Sequence, residues 1–330
     1  MEISVVIPTY NGLTLLEVCL PALAAAIERA GCADRSEIIV VDDCSTDGTA
    51  DFLRNRWPAV VCIRTPRNSG FAVAVNLGLG AARGRWIGLL NNDTAVEPDW
   101  LVSAAKHFSR PGVGAVATRI VLFDHPDTLE SAGDEYSAVG VPMQFGNLRA
   151  ADHVAACASR VCFSGCGASV FYRKAALDDV GLLYAPLGAY YEDVELGFRL
   201  NLRGWDCVYE PDSVCRHRGS ASYGRGSYRQ KFQAARNAEI VFFSCMPSAL
   251  LIRYLASHLL AVAMHLLYHT VRGTGRPFLA GKWSFLGLLR QTLARRRTVQ
   301  KLRTVSSRAL AGKIERHWFR LLVLRRRGRD

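Results

Sequence analysis

The sequence lacks the motifs of several common classes of protein. Its ten cysteines form no Cys-x-x-Cys pair, and no histidine cluster completes a zinc site. It contains neither a Walker A loop nor a Gly-x-Gly-x-x-Gly loop, which argues against P-loop nucleotidases and dinucleotide-dependent enzymes. The first residues show no basic segment followed by an apolar one, so we expect no cleavable leader. We therefore expect a chain of the reducing cytosol with buried free thiols.

Outside its C-terminal end the chain has no excess of either charge. Residues 290–330 hold 14 Lys and Arg against two acids, whereas residues 1–289 hold 27 bases and 27 acids. A basic tail indicates an anionic partner, which is either a nucleic acid or an anionic membrane surface. Because no nucleic-acid-binding motif is visible, the membrane surface is favoured and no nucleic-acid partner is expected.

Apolar runs alternate with helical patterns through residues 1–118. Strands are predicted at 3–7, 38–41, 60–63, 86–90 and 113–118, and helices at 13–30, 48–56, 70–82 and from about 97. Strand–helix alternation with short links predicts an α/β, Rossmann-like domain with a mainly parallel central sheet.

The remainder of the chain divides at about residue 245. Residues 119–245 are less regular, with a loop-rich stretch at 119–160. A strand is predicted at 161–172 with a Gly-Cys-Gly interruption, a helix at 192–203 and a strand at 207–209. Residues 246–330 are predicted to form an amphipathic helical segment followed by the basic tail.

The apolar stretch 249–271 is marginal in length for crossing a bilayer. Eighteen residues separate Arg253 from Arg272, and histidines interrupt them. Three histidines and Arg272 share one helical face, while the other residues are mostly apolar. A helix lying in the membrane surface is therefore favoured, and a soluble helical bundle is the alternative.

Polar residues follow three of the predicted strands. They are Pro8, Thr9, Tyr10 and Asn11 after the first strand, Asp42 and Asp43 after the second, and Asn91, Asn92 and Asp93 after the fourth. The carboxyl ends of parallel strands converge on one crevice, where ligands bind. Such residues are also common in turns and helix caps. Capping a helix does not require two adjacent carboxylates, so the Asp42–Asp43 pair favours a nucleotide site.

Arg67, Asn68 and Gly70 precede a predicted helix. A helix N-terminus with a neighbouring arginine can hold phosphate.

Glu192 and Asp193 begin another helix, where acids are commonly stabilising. The tyrosines before them would raise a carboxylate pKa by desolvation, which suits a general base. A lone histidine is usually a surface or core residue, but His217 lies in a polar, basic stretch after a short strand, which suits a metal or phosphate contact.

Five of these motifs occur in an order that is typical of one enzyme family. They are Val6–Asn11, Val41–Thr49, Asn68–Phe71, Leu89–Asp93 and Tyr191–Leu196. Over about residues 1–245 the chain resembles the inverting family 2 glycosyltransferases of the GT-A fold, particularly the bacterial rhamnosyltransferase-like branch.

The resemblance implies a metal site. Asp93 would hold a divalent metal, Mn²⁺ or Mg²⁺, on the diphosphate of a sugar nucleotide, and His217 would complete its shell. Asn91 stands where this family has the first acid of its Asp-x-Asp motif. An amide is a weaker ligand than a carboxylate, and an imidazole suits manganese better than magnesium.

The resemblance also implies roles for other residues. Asp42 and Asp43 would contact the nucleotide, and Asp193 of the Glu-Asp pair would be the catalytic base. Arg236 and Asn237 resemble a pair that follows in this branch, with a phosphate or acceptor role.

The resemblance therefore implies an inverting, metal-assisted glycosyltransferase of hexosyl or rhamnosyl type. The donor would be a UDP-, dTDP- or GDP-linked sugar, and the acceptor a hydroxyl of a glycan or polyprenyl-linked glycan. The enzyme would work in the cytoplasm at the inner face of the cell membrane, in envelope polysaccharide synthesis. A nucleotidyltransferase of similar fold is disfavoured because residues 9–13 contain no basic residue. A non-catalytic binder of anionic polymer would need no Glu-Asp pair.

Overall fold

The computed structural model describes residues 2–147, 149–153, 156–219 and 226–316. The strands are β1 (Ile3–Thr9), β2 (Ser36–Asp42), β3 (Val61–Arg64), β4 (Trp86–Leu90), β5 (Thr94–Val96), β6 (Val113–Leu122), β7 (Leu129–Ser131), β8 (Asp134–Tyr136), β9 (Pro142–Gln144), β10 (Arg160–Cys162), β11 (Ser169–Arg173) and β12 (Asp206–His217). The helices are α1 (Leu13–Arg29), α2 (Thr49–Arg56), α3 (Phe71–Ala81), α4 (Trp100–Ala105), α5 (Lys174–Val180), α6 (Glu192–Arg203), α7 (Tyr228–Cys245), α8 (Ser248–Val271), α9 (Gly275–Gly287), α10 (Leu289–Leu302) and α11 (Ser307–Ala311).

One mixed sheet organises the chain. Its order is β10-β12-β6-β11-β4-β1-β2-β3, with β5 added to β12 and β7 to β6. The strands β4, β1, β2 and β3 pair in parallel, as the strand–helix alternation predicts. The strand β11 is antiparallel to both of its neighbours, β4 and β6, whereas β6 and β12 are parallel. The predicted α/β fold is confirmed, and the parallel character is strongest in its N-terminal half.

Apolar side chains cover both faces of this sheet. On one face, buried residues of α1 and α4 pack on β1 and β4, while residues of α3 and α5 pack on the other face. All seven residues of β1 are buried, which explains why the sequence shows a continuous apolar run there rather than strict alternation.

The strand β12 is longer than the sequence predicts. We expected a strand ending at Tyr209 before Pro211, but β12 continues to His217. A register shift between Glu210 and Val214 places Pro211 at an irregularity in the ladder, where its missing N–H interrupts no regular pairing. The loop-rich stretch 119–160 also contains the end of β6 and the short strands β7 to β9.

The C-terminal helices pack on the body through α7, which contacts α9 and α10. Within the part of the chain that the structure describes, α8 is the one helix long and apolar enough to cross a membrane. The basic segment is folded as far as residue 316. Arg295 lies 2.7 Å from Glu195, and Lys313 lies 2.7 Å from Asp206. Residues 317–330 of the predicted tail lie outside the described residues.

All ten cysteines are free thiols. Six of them are buried, while Cys62 and Cys157 are exposed. The expectation of buried free thiols therefore holds for most of them.

Candidate active site

A histidine lies between two carboxylates where β4 and β12 end. β5 follows Asp93 directly, and its Thr94 pairs with His217 of β12, which brings the two residues side by side. Nε2 of His217 lies 3.2 Å from Oδ1 of Asp93, and Nδ1 lies 2.8 Å from Oε2 of Glu130. Because a carboxylate accepts, Nδ1 donates to Glu130, which leaves Nε2 facing Asp93.

The charge of His217 follows from these neighbours. Burial alone would lower the pKa of the imidazole, but hydrogen bonding and the charges of Asp93 and Glu130 outweigh burial and raise the pKa to about 10. The imidazole therefore carries a proton at neutral pH, and a metal bound at Nε2 would displace that proton.

The donor set around Asp93 fits a divalent metal that is shared with a substrate. Among the described residues, Oδ1 of Asn91 is buried without a hydrogen-bond partner, and Nε2 of His217 is buried with its 3.2 Å contact to Asp93. In the same part of the chain, no group of three or more Asp, Glu, His or Cys side chains is placed to hold a metal. Asp93 and His217 would thus supply one oxygen and one nitrogen, and oxygens of a diphosphate would complete the shell.

The carboxylate of Asp193 is held by backbone amides at the start of α6. Oδ2 accepts a 2.7 Å hydrogen bond from the N–H of Gly167, and Oδ1 accepts one of 2.7 Å from Val194. The helix follows Tyr190 and Tyr191, whose φ angles are 69° and 71°. A left-handed conformation costs a residue with a side chain about 1–3 kcal/mol, so this segment needs support from its surroundings.

The two acids of the Glu-Asp pair have different environments. Glu192 is 5% exposed, and its Oε2 has no hydrogen-bond partner among the described residues. Burial first, and the charge of Asp193 second, raise the pKa of Glu192 well above its usual range. Burial also raises the pKa of Asp193, but the N–H groups of Gly167 and Val194 oppose the effect. Asp193 is thus the member of the pair that ionises more readily.

The Asp93–His217 pair and the Glu-Asp pair share one neighbourhood. The loop between β10 and β11 carries Cys166, beside the Gly167 amide that binds Asp193. Burial first, and then the charges of Asp134, Asp193 and Glu130, raise the pKa of the Cys166 thiol well above its usual range. The N–H of Asn91 donates to the carbonyl oxygen of Ala168 in this loop at 2.9 Å, so the residues after β4 and the carboxylate of Asp193 contact the same loop.

The end of β1 is joined to the end of β4 by a side-chain hydrogen bond. Nδ2 of Asn92 donates to Oγ1 of Thr9 at 2.8 Å. A Cβ on Gly12 would lie 2.2 Å from Nδ2 of Asn92, so only glycine fits beneath this contact. Pro8 is within β1 and buried, whereas Tyr10 is 46% exposed and presents a ring that could stack on a base.

The two aspartates after β2 make internal contacts. Asp42 is fully buried, with Oδ2 at 2.5 Å from Nη1 of Arg64 and Oδ1 accepting from the N–H of Ser45 at 2.8 Å. Asp43 accepts from the N–H groups of Ser69 and Gly70 at 2.8 Å each. These contacts order the loops around the crevice. Direct contact of the pair with a nucleotide stays a prediction, with Asp43 the more exposed at 4%.

The N-terminus of α3 is partly engaged within the protein. The N–H of Gly70 donates to Asp43, and that of Ala72 donates to the carbonyl of Gly188. Arg67 and Asn68 are exposed at this end of the helix. The side chains therefore remain better placed than the amides of Gly70 and Ala72 for a phosphate contact.

Backbone strain is concentrated around these loops. The described residues other than glycine with positive φ are Asn11, Cys44, Tyr190 and Tyr191. The side chain of Asn11 accepts from the N–H of Thr46 at 2.8 Å, which ties the loop after β1 to the loop after β2. Strain of this kind is commonly found at functional sites.

Comparison with known proteins identifies the family. A family model described as "Glycosyl transferase family 2" matches residues 4–181, which is more than half of the chain. The chain belongs to glycosyl transferase family 2. The matched region includes the crevice, Asp93 and Glu130, whereas the Glu-Asp pair and His217 lie beyond its end.

Relatives of this family 2 chain act in polysaccharide synthesis. The succinoglycan biosynthesis protein ExoO of Rhizobium meliloti is 38% identical over 101 residues, covering 30% of this chain and 28% of that protein. The poly-beta-1,6-N-acetyl-D-glucosamine synthase of Staphylococcus aureus is 26% identical over 223 residues, covering 64% and 51% respectively. The chain therefore spans about half or less of the length of these relatives.

Solved structures share the GT-A glycosyltransferase fold. The mannosyltransferase PcManGT from Pyrobaculum calidifontis, in complex with GDP-Man and Mn²⁺, has a TM-score of 0.54 at 21% identity and covers 86% of this chain and 87% of its own. S. aureus TarS 1-349 in complex with UDP-GlcNAc has a TM-score of 0.56 at 17% identity, with 91% coverage of both chains. At these identities the likeness establishes the fold.

Arg236 and Asn237 of this family 2 chain contact the backbone before α6. Asn237 is fully buried, and its Nδ2 donates to the carbonyl oxygens of Leu187, Ala189 and Tyr190. Nη2 of Arg236 also donates to Leu187. These contacts disfavour the predicted phosphate or acceptor role for Asn237, because its amide is already engaged within the protein.

Sequence reasoning missed two buried acids of the crevice, Glu130 and Asp134. Glu130 lies in β7 and Asp134 begins β8, both within the stretch that was predicted to be loop. Burial first, and the charge of Asp193 second, raise the pKa of Asp134 well above its usual range. The sequence around these two acids shows no alternation of polar and apolar residues that would predict a strand. Their place in the site follows only from the fold.

Proposed function

We propose that the protein transfers a sugar from a nucleotide-diphosphate donor to a hydroxyl of a glycan or lipid-linked glycan, with inversion. The observation that carries this proposal is that one loop binds both sides of the site: Ala168 accepts from the N–H of Asn91, beside the Asp93–His217 pair, and Gly167 donates to the carboxylate of Asp193. The first pair suits a diphosphate-bound metal and the second suits a general base.

The proposed mechanism assigns separate tasks to these residues. A divalent metal held by Asp93 and His217 would neutralise charge on the departing diphosphate. Asp193 takes the proton from the acceptor hydroxyl, and the oxygen attacks the anomeric carbon in line. The Gly167 and Val194 amides fix the orientation of that carboxylate. Glu192, with its higher pKa, keeps its proton and leaves the negative charge on Asp193.

The structural relatives support a nucleotide-sugar donor and Mn²⁺. One of these structures contains GDP-Man with Mn²⁺, and the other contains UDP-GlcNAc. The mixed oxygen and nitrogen ligands of Asp93 and His217 agree with Mn²⁺ rather than Mg²⁺. Sugars linked to UDP, GDP and dTDP are all candidate donors. Rhamnose is one of the sugars that we propose to test.

A nucleotidyltransferase and a non-catalytic polymer binder are the competing functions. A nucleotidyltransferase would release pyrophosphate, whereas the proposed reaction releases a nucleoside diphosphate. A thermal-shift panel of UDP-, GDP- and dTDP-sugars with and without Mn²⁺ would identify the donor. Product analysis with that donor then distinguishes the two reactions. Release of pyrophosphate would contradict our proposal. Absence of turnover with every donor and a range of glycan acceptors would contradict it as well.

We further propose that the enzyme works in the cytoplasm, bound to the inner face of the cell membrane. Apart from Arg253, the large side chains exposed on α8 are apolar: Ile252, Leu255, Leu259, Leu260, Met264, Leu267, Tyr268 and Val271. On α9, Trp283 is 78% exposed. The opposite face of α8 docks on the body, where buried His258 contacts Glu239 at 2.9 Å.

This arrangement favours an in-plane helix over a soluble bundle. A helix in a soluble bundle would direct its apolar face inward. The helix α8 directs its apolar face outward and packs the buried His258 against the body. Exposed Arg253, Arg272 and Arg276 supply positive charge for anionic headgroups. A lipid-linked acceptor would be delivered at the same surface.

Co-sedimentation with phosphatidylglycerol vesicles tests membrane binding. The full chain should sediment at low salt and be partly released at high salt. Leu259→Asp should abolish sedimentation, because the charge would enter the apolar layer. Leu77→Asp is the matched control, since Leu77 is an exposed leucine on α3. Equal sedimentation of both variants, or none by the wild type, would contradict membrane docking.

A further inference from the structure

The helix α7 supports the segment that carries the Glu-Asp pair. Asn237 has no exposed surface, and its Nδ2 lies 2.9 Å from the carbonyl oxygens of Leu187 and Ala189 and 2.7 Å from that of Tyr190. Three acceptors on four consecutive residues thus converge on one amide group. Removing that amide would take away the hydrogen-bond donor that these three carbonyl oxygens share.

Arg236 fixes the orientation of this amide. Its Nε donates to Oδ1 of Asn237 at 2.9 Å, and its Nη2 donates to the carbonyl of Leu187 at 3.0 Å. Because Oδ1 accepts from the guanidinium, the NH₂ group of Asn237 must point at the segment before α6. The two residues act on the same backbone from one side.

The supported segment has a conformation that it would not adopt unaided. Gly188, Tyr190 and Tyr191 have φ angles of 74°, 69° and 71°. Tyr191 is the N-cap residue of α6 and makes no side-chain capping hydrogen bond. Residues with a Cβ disfavour this region, so the preceding carbonyl contacts decide where α6 begins. Asp193 follows two residues later.

We propose that Asn237, oriented by Arg236, is a positioning residue that holds Tyr190 and Tyr191 in the left-handed conformation and thereby sets the place of the Asp193 carboxylate. This inference rests on the proposed function, in which Asp193 is the base. It predicts an effect on the chemical step rather than on donor binding, because the metal and nucleotide residues belong to other elements.

The test compares Asn237→Ala with Ser244→Ala in the full chain. Ser244 is equally buried on α7, but its hydroxyl donates within the helix, to the carbonyl of Ile240. Asn237→Ala should lower kcat by about 10–100-fold, since small displacements of a catalytic group have effects of this size. The KM for the donor and the affinity for UDP with Mn²⁺ should stay within about twofold of wild type. Ser244→Ala should change none of these quantities.

A glycine background separates positioning from general packing. Glycine adopts positive φ without a side-chain penalty, so in a Tyr190→Gly background the loss of kcat caused by Asn237→Ala should shrink. Hydrogen exchange of residues 185–195 should rise in Asn237→Ala and stay unchanged in Ser244→Ala. If Asn237→Ala does not fold, Arg236→Ala should show the same pattern of lowered kcat and unchanged KM at smaller size.

Three outcomes would overturn the inference. They are an unchanged kcat in Asn237→Ala, an equal loss with and without Tyr190→Gly, and a loss of donor affinity that accounts for the whole effect. If instead the wild type turns over no donor, the proposed function fails. The exchange experiment would then still show whether Asn237 holds the segment.

Discussion

Replacing Glu130 with alanine should weaken Mn²⁺ binding although Glu130 is not itself expected to touch the metal. Its Oε2 lies 2.8 Å from Nδ1 of His217, and this contact keeps Nε2 directed at Asp93. Partners of this kind contribute about 10–100-fold to metal affinity, which corresponds to about 1.4–2.7 kcal/mol. Both side chains are 9% exposed, so water cannot easily replace the carboxylate, and we expect the upper half of that range.

The assay is a titration of Mn²⁺ in the presence of UDP, with free Mn²⁺ followed by electron paramagnetic resonance. Glu97→Ala is a matched control, because Glu97 pairs at 2.6 Å with Arg216, the neighbour of His217 on β12. That variant should bind Mn²⁺ within about twofold of wild type, and Glu130→Gln should fall between wild type and Glu130→Ala. A folded Glu130→Ala protein with wild-type affinity for Mn²⁺ would refute the orienting role of Glu130.

Three further predictions concern other parts of the site and of the fold. Because burial raises the pKa of Asp193, kcat/KM should fall as the pH drops through a value above that of an ordinary aspartate, and an acid limb at or below the ordinary value would contradict this. Arg295→Ala should lower the free energy of unfolding in urea by about 1.5–3 kcal/mol, since it removes hydrogen bonds to the buried carboxylate of Glu195; a loss below about 0.5 kcal/mol would mean that the basic segment is not structural. Asp93→Ala should weaken Mn²⁺-dependent UDP binding, measured by calorimetry, more than Asn91→Ala does, and the reverse order would count against Asp93 as the principal ligand.

The sequence predicts best where a local pattern decides the structure. The helix predicted at 192–203 is observed at Glu192–Arg203, because acids at its start and Gly204 at its end are local signals. The strand predicted at 86–90 is also observed, and Asn91, Asn92 and Asp93 follow its carboxyl end. A buried apolar run followed by polar residues is thus enough to place Asp93.

Contacts between distant residues account for what the sequence could not predict. Glu130 and His217 are 87 positions apart, and neither neighbourhood signals the other. In the sequence, Pro211 indicates the end of a strand. Only the pairing of β6 with β12 shows that the strand continues beyond this proline. Arg295 falls in the basic tail that predicts an external anionic partner, although it pairs with Glu195, 100 positions earlier. A charge count gives no information on which cations are paired within the fold.

The most direct test of the account is acceptor-dependent release of nucleoside diphosphate by wild type and Asp193→Asn. With the donor that the panel selects and with Mn²⁺ present, the wild type should release the diphosphate and transfer the sugar. Asp193→Asn should lose about 10²–10⁴-fold in rate while binding UDP with unchanged affinity, because Asp193 acts on the acceptor. Near-wild-type transfer by Asp193→Asn would contradict the central claim.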